Sequence, residues 1–171
     1  VGLKYLHPLV PGGIPAQGFL QCVELLMLKL IPPEISPQLM LVLMEMGHGD
    51  ELVLADGNYP AAANARRVVR ADGHSAVELL GAILRFLPVD TFVPDVAIVM
   101  QPVDSAQATP PIWNQFSRLL TEAEGREISL SRIERNQFYQ RSREAFAIVA
   151  TGETALYANL ILKKGVVVPA D

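Results

Sequence analysis

The 171-residue chain is half apolar and carries a formal net charge of −4, which suits one globular domain with its own core and argues against a nucleic-acid partner, since such binders carry a basic face. Its single cysteine, Cys22, forms no disulfide within the chain, so a reducing, cytoplasmic setting is expected. There is no CxxC or clustered-histidine spacing for a metal, and no run of the ~18–20 apolar residues that a membrane helix needs.

The first 26 residues, VGLKYLHPLVPGGIPAQGFLQCVELL, are poor in charge and rich in glycine and proline. They read as an extension, poorly ordered or carrying a short helix near 18–29 docked on the domain, which occupies 27–171. The most apolar stretch, 18–31, is broken by Gln21, Glu24 and Lys29 and lacks the basic start and cleavage site of a signal peptide.

Ser36-Pro37 has the form of an N-cap followed by proline at the first helical position. Leu39, Met40, Leu43 and Met46 follow at helical spacing, and Gly47 sits where a left-handed C-cap belongs, so a helix is predicted over about 37–46. ELVLA, 51–55, reads as a buried strand and 67–71 as a second. Ser75 and Glu78 form a capping box before a helix over 76–87 that Pro88 ends. VAIVMQ, 96–101, is a strand of central-sheet character, and PVDSAQAT, 102–109, a surface loop. Thr109-Pro110 opens a helix that closes at Gly125. A strand over 128–133, a helix over 136–145 and strands over 146–151 and 159–165 complete the pattern. The alternation defines an α/β domain with a mixed, mostly parallel central sheet and flanking helices.

His48 is the sharpest chemical candidate. It lies between two glycines, after a helix C-terminus whose partial negative charge favours a cation. Histidine, with an ordinary pKa of about 6.5, both gives and takes protons near neutrality. The plainer reading is a histidine capping its own helix. Asp56 ends a strand, where open α/β sheets collect ligand groups; it also suits a turn before Gly57-Asn58. Asp50 and Glu51 suit turn and surface better than a metal site.

Tyr139, Tyr157 and Asn159 form a second group. Tyr157 and Asn159 are two apart at the entrance of a strand, which puts them on one face. A phenol beside a carboxamide suits a polyhydroxylated ring, while a tyrosine packed at the core edge is the plain alternative. His74 adjoins the capping box and is expected in solvent, His7 lies in the extension, and Trp113 reads as core. No GxSxG, GxGxxG or GxxxxGK[ST] pattern occurs. The remaining set fits proton transfer on a small neutral molecule without a cofactor.

The blocks MGHGDELVLAD, RADG at 70–73, LPVDTFV at 87–93, FYQRSREAFAIVATGE at 138–153 and YANLILKKG at 157–165 together resemble the fucose mutarotases, relatives of ribose pyranase. The similarity runs from Met27 to about Val167, and TPPIW and ATGETALY resemble the animal branch. The resemblance implies a ribose pyranase-like fold and an isomerase that interconverts the α and β anomers of L-fucose without a cofactor. It implies His48 as the proton donor, with Asp56, Asp90, Met100, Tyr139, Tyr157 and Asn159 contacting the sugar. Asp90 and Met100 rest on it alone, since they read otherwise as a loop aspartate and core. It also implies a homo-oligomer with sites near subunit boundaries, so that one or two tyrosines serve a neighbour's pocket. D-ribose and D-galactose stand as further sugars, and Ala158 resembles the ribose branch. The alternatives are pyranose–furanose conversion of ribose and a non-catalytic monosaccharide-binding module.

Overall fold

The computed structural model describes residues 28–103 and 109–167. The expected extension 1–26, with His7 and Cys22, and most of the 102–109 loop lie outside those residues. Eleven elements follow the order α1 (Pro37–Glu45), β1 (Glu51–Ala55), α2 (Ala61–Asn64), β2 (Val68–Ala71), α3 (Ala76–Ile83), β3 (Ala97–Met100), α4 (Pro111–Glu124), β4 (Ser131–Ile133), α5 (Arg135–Glu144), β5 (Ala147–Thr151) and β6 (Leu160–Lys163).

The six strands form one sheet in the order β2-β5-β1-β6-β3-β4. β1 pairs parallel with β5, β5 with β2, and β3 with β4. β6 runs antiparallel between β1 and β3. Five strands therefore point one way, and the sheet has a carboxyl edge and an amino edge. The mixed, mostly parallel sheet matches the alternation read from the sequence.

Helices cover both faces, which is why the central strands are apolar without interruption. Side chains alternate across a strand. Leu52 and Leu54 enter one core with Leu39 of α1, Leu80 of α3 and Phe116 of α4. Val53 and Ala55 enter the other with Ala61 of α2 and Phe138 of α5. Fully burying each such aliphatic side chain contributes about 1.5–3 kcal/mol. No helix among the described residues is long and apolar enough to cross a membrane.

The local signals behave as their chemistry requires, with two shifts: α3 ends at Ile83, four residues short of the expected 87, and the reversal after α1 comes later than expected. Ser36 accepts from the Leu39 N–H, and Ser75 with Glu78 forms the full capping box. Gly125, at φ +64, closes α4 by donating its N–H to Thr121 O. Gly47 is not the left-handed residue after α1: the chain leaves that helix extended at Met46, and Gly49 takes the positive φ of +86. The reason is Asp50, whose carboxylate accepts the Gly47 N–H at 2.7 Å and moves the reversal two residues on. α2, four residues long, was not anticipated.

Candidate active site

At the carboxyl edge the ends of β1 and β3 and the entrance of β6 surround a cavity of about 230 Å³. Asp56, Met100, Tyr139, Tyr157 and Asn159 all line it. Five of the seven expected site residues therefore converge. Asp56 and Asn159 hold each other: Asn159 Nδ2 donates to Asp56 Oδ2 at 2.7 Å, and Asn159 Oδ1 accepts the Asp56 N–H at 3.0 Å. The Asn58 N–H donates to Asp56 Oδ1 at 3.0 Å. Both side chains are buried, so the carboxylate is fixed yet keeps lone pairs for a ligand hydroxyl.

Tyr157 and Asn159 share this pocket for a different reason from the one read in the sequence. β6 begins only at Leu160, so strand alternation does not align them. Tyr157 stands in the left-handed region at φ +59, a costly conformation for a bulky residue. Trp113 Nε1 donates to Tyr157 O at 2.9 Å and secures the turn. Trp113 is core, as expected, and also a clamp on the site.

Tyr59 and Arg135 line the same cavity and were missed. The Tyr59 ring packs at 5.4 Å from Tyr139, and Arg135 lies over the other ring at 5.5 Å from its centroid. Ser142, without solvent exposure, donates its hydrogen to Tyr139 O at 2.9 Å. In its bond with Ser142 the Tyr59 hydroxyl must therefore be the donor. Burial pushes the Tyr59 phenol above its usual pKa, against the opposing effect of the Ser142 hydrogen bond. The proximity of Tyr59 to the Asp56-Gly57-Asn58 turn was the available sequence signal.

His48 and Asp90 are not in this cavity. His48 precedes β1 and Asp90 accompanies the end of β6, where the Asp90 N–H donates to Lys163 O at 3.0 Å. Both are at the amino edge, and the five residues of β1 put about 16 Å between the two ends. The two expected site residues missing from the pocket are paired with each other: His48 Nε2 lies 3.3 Å from Asp90 Oδ1. The His48 side chain is 47% exposed and that of Asp90 only 3%. The exposed Phe92 ring meets the imidazole edge-on at 5.3 Å. Burial works against the Asp90 charge, but hydrogen bonds from the Phe92 N–H, His48 and the Thr91 N–H outweigh it and hold the carboxyl below its usual range.

The loop carrying His48 is tied down by backbone and charge. The Gly49 N–H donates to Lys164 O at 2.8 Å, and Lys163 Nζ donates to Gly49 O at 3.2 Å. Lys163 Nζ also meets Glu51 at 2.8 Å, while Arg141 forks onto both Glu51 oxygens. Glu51 is thus a structural link between β1, β6 and α5. A larger cavity of about 560 Å³ adjoins this link, but Glu51, Arg141 and Lys163 on its wall already satisfy one another. His74 is half-buried beside α3, with its carbonyl accepting the Gly152 N–H at 2.8 Å. Among the described residues no group of three or more His, Cys, Asp or Glu side chains is placed to hold a metal ion.

The mixed six-stranded sheet with helices on both faces is shared with known proteins. Residues 29–167 match the RbsD / FucU transport protein family, and the chain belongs to that family. A bovine protein named fucose mutarotase is 47% identical over 153 residues, covering 86% of this chain and 99% of the relative. The crystal structure of the fucose mutarotase of Streptococcus pneumoniae in complex with L-fucose is 49% identical, with a TM-score of 0.78 over 82% of this chain and 100% of the other. Bacillus subtilis RbsD complexed with D-ribose, at 20% identity and a TM-score of 0.61 over 78% of this chain and 95% of the other, shares the fold.

Proposed function

We propose that this chain is an isomerase that interconverts the α and β anomers of L-fucose. The observation that carries the reading is the convergence of Asp56, Met100, Tyr139, Tyr157 and Asn159 on one small cavity, in a chain closely similar to fucose mutarotases over most of its length. The cavity is smaller than the ~300–1,000 Å³ of drug-sized sites, which suits one monosaccharide. Tyrosine faces cover the ring of the sugar, and Asp56 and Asn159 take its hydroxyls.

Mutarotation opens a cyclic hemiacetal, turns the aldehyde and closes the ring again. The ring oxygen takes a proton as its bond to the anomeric carbon breaks, and the anomeric hydroxyl loses one. His48 supplies and recovers the first proton. A tyrosine hydroxyl of the pocket, or a water held by Asp56, handles the second. Such general acid–base catalysis contributes ~10²–10⁴-fold, and the step needs no covalent intermediate.

Recognition and proton transfer sit about 16 Å apart in one chain, so a working site joins the histidine corner of one copy to the pocket of another. Exposed apolar side chains at both places support this: Phe92 beside His48, and Leu156 and Val103 around Tyr157. The sites then lie at subunit boundaries of a homo-oligomer. A cytoplasmic setting accords with the single cysteine.

The test is α/β exchange of L-fucose followed by NMR saturation transfer, with D-ribose and D-galactose as comparison sugars. Fastest exchange on L-fucose is expected. Faster conversion of ribose would favour the pyranase reading that Ala158 suggests, and sugar binding without exchange would favour a binding module. Mixing His48→Gln with Asp56→Ala chains tests the shared site: in a randomly mixed assembly about a quarter of the sites regain both intact halves. No recovery from verified mixed assemblies would reject the shared arrangement.

A further inference from the structure

We propose that proton exchange at His48 runs through Nδ1, and that Asp90 is a positioning residue that enforces this by holding Nε2–H. The inference rests on His48 being the proton donor of the mutarotase reading above.

The geometry argues it through in three steps. Asp90 Oδ1 accepts the Phe92 N–H at 2.9 Å and lies 3.3 Å from His48 Nε2. Asp90 has only 3% of its side chain exposed and, unlike Asp56 and Asn159, does not line the sugar cavity. Its backbone is equally committed. The Asp90 N–H donates to Lys163 O at 3.0 Å, and Arg126 Nη2 donates to Asp90 O at 2.8 Å.

An ionised carboxylate only accepts. The nitrogen facing it must carry hydrogen in both charge states of the imidazole. In the neutral ring the lone pair is then on Nδ1, and in the cation Nδ1–H is the one proton free to leave. The ring is half-exposed, and Phe92 meets it edge-on. No rival charge claims the imidazole among the described residues: Asp50 accepts the Gly47 N–H, Glu124 the Val89 N–H, and Lys163 and Arg126 point to the Gly49 and Asp90 carbonyls.

The step balances within this frame. Imidazolium Nδ1–H passes its proton to the ring oxygen as the bond from that oxygen to the anomeric carbon breaks. The anomeric hydroxyl proton passes to a water or phenol oxygen of the facing pocket, which gives up its own proton to the Asp56 carboxylate beside it. Ring closure on either face of the aldehyde reverses both transfers. Nε2–H stays on Asp90 throughout, as a hydrogen bond that orients an imidazole and sets its tautomer.

The experiment is long-range ¹H–¹⁵N NMR of the intact protein, read at a pH where the His48 ring is neutral, together with exchange kinetics. The wild type is expected to show the Nε2–H tautomer. Asp90→Ala, which removes the oxygen that accepts from both Phe92 and His48, is expected to let the Nδ1–H form appear beside the Nε2–H form, and to lower kcat for L-fucose exchange by about 100-fold with KM little changed. A neutral wild-type ring carrying Nδ1–H overturns the proposal, as does an Asp90→Ala variant that raises KM with kcat intact. If that variant does not fold, the wild-type tautomer decides the matter. A wild-type protein that fails to exchange L-fucose instead removes the functional reading, a result separate from the tautomer.

Discussion

The two edges of the sheet solve different problems with the same strand. At the carboxyl edge, Asp56 and Asn159 are buried and mutually bonded, in a pocket walled by phenols. At the amino edge a half-exposed imidazole rests on one buried carboxylate. Rigidity with spare lone pairs suits recognition, whereas exposure beside a fixed acceptor suits proton exchange. Their separation teaches how, in the proposed shared site, one chain can carry every residue needed and still require a second copy to bring them together.

The largest expected break is at the amino edge. His48→Gln should cut α/β exchange by about 10²–10⁴-fold, close to background, while calorimetry still detects sugar binding at the untouched pocket. Retained exchange would dismiss His48 as the acid. At the other edge Asp56→Asn should raise the KM for L-fucose by about tenfold to a hundredfold, the loss of a charge-assisted hydrogen bond, and leave the His48 tautomer unchanged. An unaltered KM would mean that the sugar does not touch Asp56.

A smaller effect concerns the link beneath the histidine loop. Glu51→Gln should cost about 2 kcal/mol of stability near neutrality, measured by urea unfolding. Burial works against the Glu51 charge, but the Arg141 and Lys163 hydrogen bonds and charges outweigh it and hold the carboxyl below its usual range. Its contribution is therefore complete above about pH 4.5 and is lost as the pH falls through the lower folded value. The variant should lack that acid-dependent component, and an unchanged acid limb would refute the linkage. Smallest of all, Tyr59→Phe should cost about 1 kcal/mol and change KM a few-fold through Tyr139; Ser142→Ala should cost more, since it also removes the bond to Tyr139 O, and a double variant no worse than Ser142→Ala would show that the Tyr59 hydroxyl acts through Ser142.

Much of the scaffold was legible because its signals are local. Serine caps at 36 and 75 and the apolar runs of β1 and β3 declare themselves within a few residues. α2 did not, since four residues carry no period. Asp56, Tyr139, Tyr157 and Asn159 were legible as chemistry, although the turn at Tyr157, rather than strand alternation, aims the last two. Asp90 and Met100 came only from family resemblance. The burial of Asp90 is created by Lys163, Arg126 and Gly165 far along the chain, a long-range cause with no local signature. Tyr59 and Arg135 likewise acquire their positions only when α5 docks.

Gly165 leaves a mechanical consequence. A Cβ placed there would stand 2.8 Å from Val89 O and 2.9 Å from Asp90 Cα, against main chain that has few ways to yield. A single added methyl group, bearing no charge and touching no sugar, would press the carboxylate away from its imidazole. The smallest residue in the final stretch of the domain thus serves as a spacer that sets the alignment of the proposed proton relay without joining it.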